Sequence, residues 1–166
     1  MKRWSLAVVL ALAVVTAVAA GGCTPPTAAT TTGGSTSLSG AATIGALTSG
    51  TWASLAYDPV PGNVALPIYS CGNFGWTIIT LSKVRASGAF TAECGGGILL
   101  TGNATVALSG TDASWGAAGT TTGPGIFCTF DLAGTAVMET GGVRITYTGK
   151  YCTNTIQGQE LLEKKK

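Results

Sequence analysis

The stretch IFCTFDLAGTAVMETGGVRITYTGK, residues 126–150, decides the fold. In its first part Ile126, Cys128, Phe130, Leu132, Gly134, Ala136 and Met138 occupy every second position. In its second part Val143, Ile145, Tyr147 and Gly149 alternate with Arg144, Thr146, Thr148 and Lys150. A period of two belongs to a strand with one face buried and the other wet, the usual state of an antiparallel sheet. Between the two parts, Glu139-Thr140-Gly141-Gly142 is turn chemistry, because glycine adopts positive φ without steric cost. The stretch predicts two long antiparallel strands joined by a tight hairpin.

The pattern extends outward from there. Ile98, Leu100, Gly102, Ala104, Val106 and Leu108 alternate with Thr101, Asn103, Thr105 and Ser109. Weaker strands are read at residues 51–57, 64–70, 74–82, 88–94, 114–121 and 155–162. Turn signals such as Asp58-Pro59-Val60-Pro61-Gly62-Asn63 and Thr122-Gly123-Pro124-Gly125 lie between them. From Ala41 onward no stretch carries a sustained helical period. The reading is all-β: a single antiparallel domain of about seven to nine strands, a barrel-like meander or else a β-sandwich, since each strand must bury one face against another layer. Around Phe74, Trp76 and Ile78 both faces are apolar, because Ile79 and Leu81 lie on the other side. A loop or the Pro67 segment is expected to cover that outer face.

The cysteines are Cys23, Cys71, Cys94, Cys128 and Cys152. An odd number is awkward in an exported chain, where thiols pair or react. Cys71 and Cys94 lie symmetrically about Ser82-Lys83, and Cys128 and Cys152 about Thr140, so each pair would tie the ends of a hairpin. Cys71–Cys94 and Cys128–Cys152 are the first assignment, with the other two connectivities open. Strict alternation from Val143 turns Cys152 outward while Cys128 faces inward, so a bulge at Gly149 or Lys150 is expected to bring them together.

The chain begins with basic Met1-Lys2-Arg3, followed by an unbroken apolar run of 15 residues ending at Ala20. A spanning helix needs about 20 apolar residues, so the run reads as a secretory signal peptide. Small residues offer cleavage at Val18-Ala19-Ala20 or at Ala20-Gly21-Gly22-Cys23. The second resembles the lipobox of bacterial lipoprotein precursors. That resemblance implies that Cys23 becomes the first mature residue, carries a diacylglyceryl thioether and anchors the chain to a bacterial membrane. Setting Cys23 aside leaves four cysteines, enough for two disulfides. Residues 24–40 are almost all Thr, Pro, Ala, Ser and Gly with no charge, a composition that stays a tether because it cannot bury a core. The expected organisation is a signal peptide over 1–22, the lipid-bearing Cys23 with its tether over 23–40, a β domain over 41–163 and a solvated basic tail over 164–166. The expected location is the cell envelope, lipid-anchored, with simple secretion as the alternative.

Composition also excludes functions. Without residues 1–22 the chain has seven Lys and Arg against seven Asp and Glu, so it lacks the basic face of a nucleic-acid binder. It contains no histidine, which removes imidazole acid–base and nucleophile-activating chemistry. No C-x-x-C spacing points to a metal, and Cys94-Gly95-Gly96-Gly97-Ile98 lacks the Gly-Lys-Ser/Thr ending of a phosphate loop. No cofactor is expected. Trp52, Tyr57, Trp76 and Trp115 are the candidates for stacking on a sugar or closing an apolar pocket, unless they fill the core. Gly50-Thr51-Trp52 resembles the Gly-x-Trp that opens calycin-like (lipocalin and avidin-type) barrels, and the resemblance implies a small-ligand-binding barrel. The expectation is therefore a non-enzymatic, lipid-anchored module that binds a protein, a glycan or a small apolar ligand. A calycin-like ligand carrier is the alternative, and a glycosidase-type enzyme with paired carboxylates a distant third.

Overall fold

A computed structural model describes residues 39–60, 62, 66 and 69–166. The expected signal peptide, Cys23 and residues 24–38 of the expected tether lie outside them. A short helix α1 (Gly40–Ala46) precedes eight strands: β1 (Gly50–Ser54), β2 (Cys71–Leu81), β3 (Arg85–Cys94), β4 (Ile98–Ser109), β5 (Asp112–Gly123), β6 (Ile126–Glu139), β7 (Gly142–Tyr151) and β8 (Asn154–Lys164). Each strand pairs antiparallel with the next, and β8 pairs back onto β1, so the sheet is a closed barrel. The meander is realised and the sandwich is not, because consecutive strands are neighbours all the way round.

The alternation that predicted the strands sets the inside of the barrel. Leu100, Ala104, Val106, Phe130, Leu132, Val143, Ile145 and Tyr147 are buried, whereas Thr101, Asn103, Asp131, Thr135, Thr146 and Thr148 are exposed. The β6–β7 hairpin runs in unbroken register from Glu139↔Gly142 to Phe130↔Tyr151. Closing eight strands this tightly requires glycine where backbones crowd. Gly134 stands opposite Tyr147, and a Cβ there would come within 1.8 Å of the Thr146 carbonyl oxygen. On the other side of Tyr147 stands Gly158, where a Cβ would come within 2.5 Å of the tyrosine hydroxyl, so its glycine leaves the side chain room.

The two ends of the barrel differ. At one end lie the β2–β3, β4–β5 and β6–β7 turns, the start of β1 and the end of β8. Helix α1 closes this end. Ile44 and Leu47 enter the core, the Gly40 N–H donates to the Thr111 carbonyl at 2.8 Å, and the Met138 N–H donates to Thr43 Oγ1 at 3.1 Å. Burying each of those two aliphatic side chains is worth about 1.5–3 kcal/mol, which offsets the poor helix propensity of a seven-residue segment with two glycines. At the other end lie the remaining turns and both disulfides, Cys71–Cys94 and Cys128–Cys152, as the spacing suggested.

Several expectations are corrected. Helix α1 has no counterpart in the sequence reading; it takes in Gly40, the last residue of the expected tether. Strand β8 runs through Lys164, so the first lysine of the expected tail is a sheet residue paired with Trp52. No strand is found at residues 66, 69 and 70; the rest of the strand expected over 64–70 lies outside the described residues. No bulge at Gly149 or Lys150 joins Cys152 to Cys128. Cys152 sits in the β7–β8 turn with φ 50°, and its N–H donates to the Thr129 carbonyl, which folds it back onto β6. Ile79 and Leu81 are exposed at 72% and 38%, so among the described residues nothing covers that outer face. Ile79 is the extra residue of a register shift between Ile78 and Thr80.

Gly134→Ala should destabilise the barrel by about 1–3 kcal/mol or more, since a backbone carbonyl rather than a mobile side chain blocks the new methyl. Urea denaturation checks this; unchanged stability would mean that β6 and β7 are not packed this closely.

Candidate functional site

The interior holds the first group of candidates. Phe74 lies 5.1 Å from Phe90 edge-on, stacks near Trp115 at 6.2 Å and meets Tyr147 at 5.2 Å, measured between ring centroids. Phe90 also meets Trp115 and Phe130. Trp76 is fully buried and Trp115 nearly so. Trp52 is buried at the helix end, with its Nε1–H donating to the Thr48 carbonyl at 2.9 Å and Lys164 Nζ 6.0 Å from its ring centre. The three tryptophan candidates therefore fill the core, the alternative to ligand stacking that their sequence positions left open. Tyr57 alone of the four candidates lies outside the core, half-buried on the outer wall against Gly75 and Thr91.

A polar seam interrupts the apolar interior where β1 stops at Ser54 and β2 would otherwise lose its neighbour. Tyr147 reaches across from β7: its hydroxyl donates to the Cys71 carbonyl at 2.5 Å and accepts the Cys71 N–H at 2.9 Å. Ser54 Oγ accepts the Phe74 N–H at 2.8 Å and donates to Glu160 Oε2 at 2.7 Å. Backbone groups that β1 is too short to pair are thus satisfied by side chains. Desolvation raises the Glu160 pKa against the Ser54 hydrogen bond, which lowers it. Desolvation likewise raises the Tyr147 pKa, opposed by the Cys71 backbone and reinforced by the Glu160 charge. A Ser beside a Glu invites comparison with an activated nucleophile, but the Ser54 hydroxyl is buried and both its hydrogen-bonding roles are taken.

A second cluster sits outside the barrel wall at the disulfide end. Asn73, at φ 51° in a β2 bulge, pairs with Asp58 as a backbone rung would: its Oδ1 accepts the Asp58 N–H at 2.6 Å and its Nδ2 donates to the Asp58 carbonyl at 2.8 Å. Glu93 faces outward on β3 yet is buried, because the β1–β2 loop lies over it. Its carboxylate accepts from Asn73 Nδ2 and from the Gly62 N–H. Asp58 Oδ1 in turn accepts the Val60 N–H. Two of the scattered carboxylates thus come together, but each holds loop backbone, and the cleft beside them is only about 110 Å³. Among the described residues no cluster of three or more metal-ligating side chains occurs.

A groove of about 490 Å³ lies on the outer wall over β6, β7 and β8, lined by Ala133, Thr135, Thr146, Thr148, Gln157 and Gln159. It is within the size range of small-molecule sites, but its floor is uncharged hydroxyl, amide and methyl groups with no exposed aromatic ring. It was not found from sequence because its residues are the wet half of the alternation, which looks the same in any antiparallel sheet.

Tyr147→Phe should cost about 1–3 kcal/mol by leaving the buried Cys71 N–H and carbonyl unpaired, measured by denaturation. Glu160→Gln should act oppositely. A carboxyl whose folded pKa is raised stabilises less as pH climbs from its unfolded value near 4.5 through the folded one, so the amide should stabilise the chain at neutral pH and flatten that decline. Equal pH profiles for the two proteins would contradict it.

No family model, no curated protein and no solved structure matches this chain, so its function is read from its own geometry.

Proposed function

We propose that this protein is a non-enzymatic, lipid-anchored envelope module: a barrel tethered through Cys23 that acts through its outer surface on a protein or glycan partner. The observation that carries the reading is the filled interior, where Phe74, Trp76, Phe90, Trp115, Phe130 and Tyr147 leave the binding work to the outside. The two disulfides support an oxidising compartment outside the cytoplasm. No helix among the described residues is long and apolar enough to cross a membrane, and attachment rests on the Ala20-Gly21-Gly22-Cys23 motif. The absence of histidine from the chain and the engagement of Ser54, Glu93 and Glu160 in structural hydrogen bonds speak against catalysis.

A calycin-like carrier of a small ligand is the second reading. The closed eight-stranded barrel is compatible with it, and the indole N–H groups of Trp76 and Trp115 are buried without a hydrogen-bond partner. Entry would require α1 and Trp52 to move.

Titration with an apolar fluorescent probe separates the two. The surface-module reading expects no saturable binding, and one-to-one uptake quenched in Trp76→Ala or Trp115→Ala would favour the carrier. Trp52→Ala and Trp76→Ala should each cost about 3–5 kcal/mol of stability as core truncations. The mass of the Cys23 peptide, with loss of membrane partitioning in Cys23→Ala, tests the anchor; an unmodified thiol overturns it.

A further inference from the structure

The helix end of the barrel combines three features that the other end does not. First, it carries the cations. Lys83, Arg85, Arg144, Lys164, Lys165 and Lys166 lie on its turns, the adjoining strand ends or the C-terminus, against the carboxylates Asp112, Glu139 and Glu163; among the described residues Lys150 is the one cation toward the disulfide end. Arg144 is bridged to Glu139 at 2.9 Å, Lys164 Nζ donates to the Ser49 carbonyl, and Lys165 Nζ turns along β1 to the Ser54 carbonyl at 3.3 Å, which leaves Lys83, Arg85 and Lys166 to dominate the rim. Second, exposed apolar side chains are interleaved with these cations. Going round the rim from β8 through β1 to β4, Lys164–Lys166 are followed by Ile79 and Leu81 on β2, by Val84 between Lys83 and Arg85 in the β2–β3 turn, and by Leu108 on β4. The Leu108 N–H donates to the Val84 carbonyl at 2.9 Å, so these last two are one surface. Third, the described residues begin here, with Gly40 beside Thr111 and Asp112.

We propose that this rim, centred on Lys83, Val84, Arg85 and Leu108, is a docking surface for an anionic lipid bilayer, holding the barrel helix-end down with the disulfide end outward. Cations at an anionic surface combined with apolar side chains at the headgroup level are the chemistry of interfacial binding. Each lysine or arginine held near such a surface strengthens binding by about fivefold, and the contribution fades when salt shortens the Debye length. The disulfide end also exposes apolar residues, Leu55, Val60, Tyr69 and Phe127, but among the described residues Lys150 is the one cation toward that end, and it stands opposite Asp131, so an anionic surface gains little there. The place where the stalk joins argues the same way and rests on the lipid-anchor reading; the charge and apolar pattern does not.

The test is lysine footprinting of the full chain with a soluble acylating reagent, read by mass spectrometry, with and without vesicles. Phosphatidylcholine vesicles containing phosphatidylglycerol should protect Lys83 and Lys166 several-fold and leave Lys150 unchanged. Pure phosphatidylcholine or high salt should remove most of that protection, and Val84→Asp with Leu108→Ser should weaken it. Equal reactivity of Lys83 and Lys150 on anionic vesicles overturns the proposal, whether the chain floats free or sits with no preferred face. Protection of Lys83 that grows with protein concentration without vesicles also overturns it, and assigns the rim to a second copy of the chain. The mass of the Cys23 peptide in the same digest reports on the anchor separately, so loss of the anchor and loss of the docking surface are told apart.

Discussion

Closure of the barrel at β1 is the constraint on which the rest depends. β1 has five residues, while its neighbours β2 and β8 have eleven each, so the sheet lacks a full strand where it must shut. Beyond Ser54 the missing rungs are replaced by side chains. Tyr147 takes both backbone groups of Cys71, and Ser54 takes the Phe74 N–H and ties it to Glu160. An unpaired buried backbone group costs about as much as a lost hydrogen bond, so without these contacts β2 would be a frayed edge. Tyr147 has to cross the interior to reach Cys71, which is why its strand neighbour Gly158 carries no side chain. The same ring packs on Phe74, so the polar seam and the aromatic core are one construction.

The ends of the barrel are held by different physics. At the helix end an apolar plug and the β1–β8 pairing suffice, because the start of β1 and the end of β8 meet there under α1, Trp52 and Lys164. At the far end the long loop after β1 leaves β2 and β3 without that support, and the link is covalent: Cys71–Cys94 joins directly paired residues. Cys128–Cys152 does the same for β6 and the turn beyond β7. Bridges closing loops of this length add about 2–4 kcal/mol each, a large share of the stability of a small domain.

Much of this was legible in the sequence, for physical reasons. Long strands with strict alternation, such as 98–109, 126–139 and 142–151, declare both their type and their buried face. The cysteine pairing followed from symmetry about the hairpin turns. What stayed hidden is set by tertiary contact. Helix α1 is seven residues long, with no side-chain cap, and exists because Ile44 and Leu47 fill a barrel mouth that no local pattern announces. Cys152 reaches Cys128 through a positive-φ turn that a cysteine does not advertise. Lys164 looked like a free tail and is a strand residue, because β1 needs a partner. Of the aromatic candidates, residue type alone did not separate packing from binding. Trp76 and Trp115 follow the inward alternation of their strands, and that periodicity was the better guide to their role.

The direction of the alternation also limits how such a protein meets a membrane. A barrel that crosses a bilayer turns its apolar residues outward and keeps polar ones in its lumen. Here the outer wall carries Thr101, Asn103, Thr105, Asp131, Thr146, Thr148, Gln157 and Gln159, and the lumen is packed with aromatic and aliphatic side chains. Such a wall is built to stay in water. A contact with lipid of the kind proposed is then made by an end of the barrel, and the ends are not equivalent: six of the seven described cations lie at the helix end and both disulfides at the other. Under the proposed docking that asymmetry sets the orientation, and it leaves the disulfide end and the side-wall groove over β6–β8 uncovered.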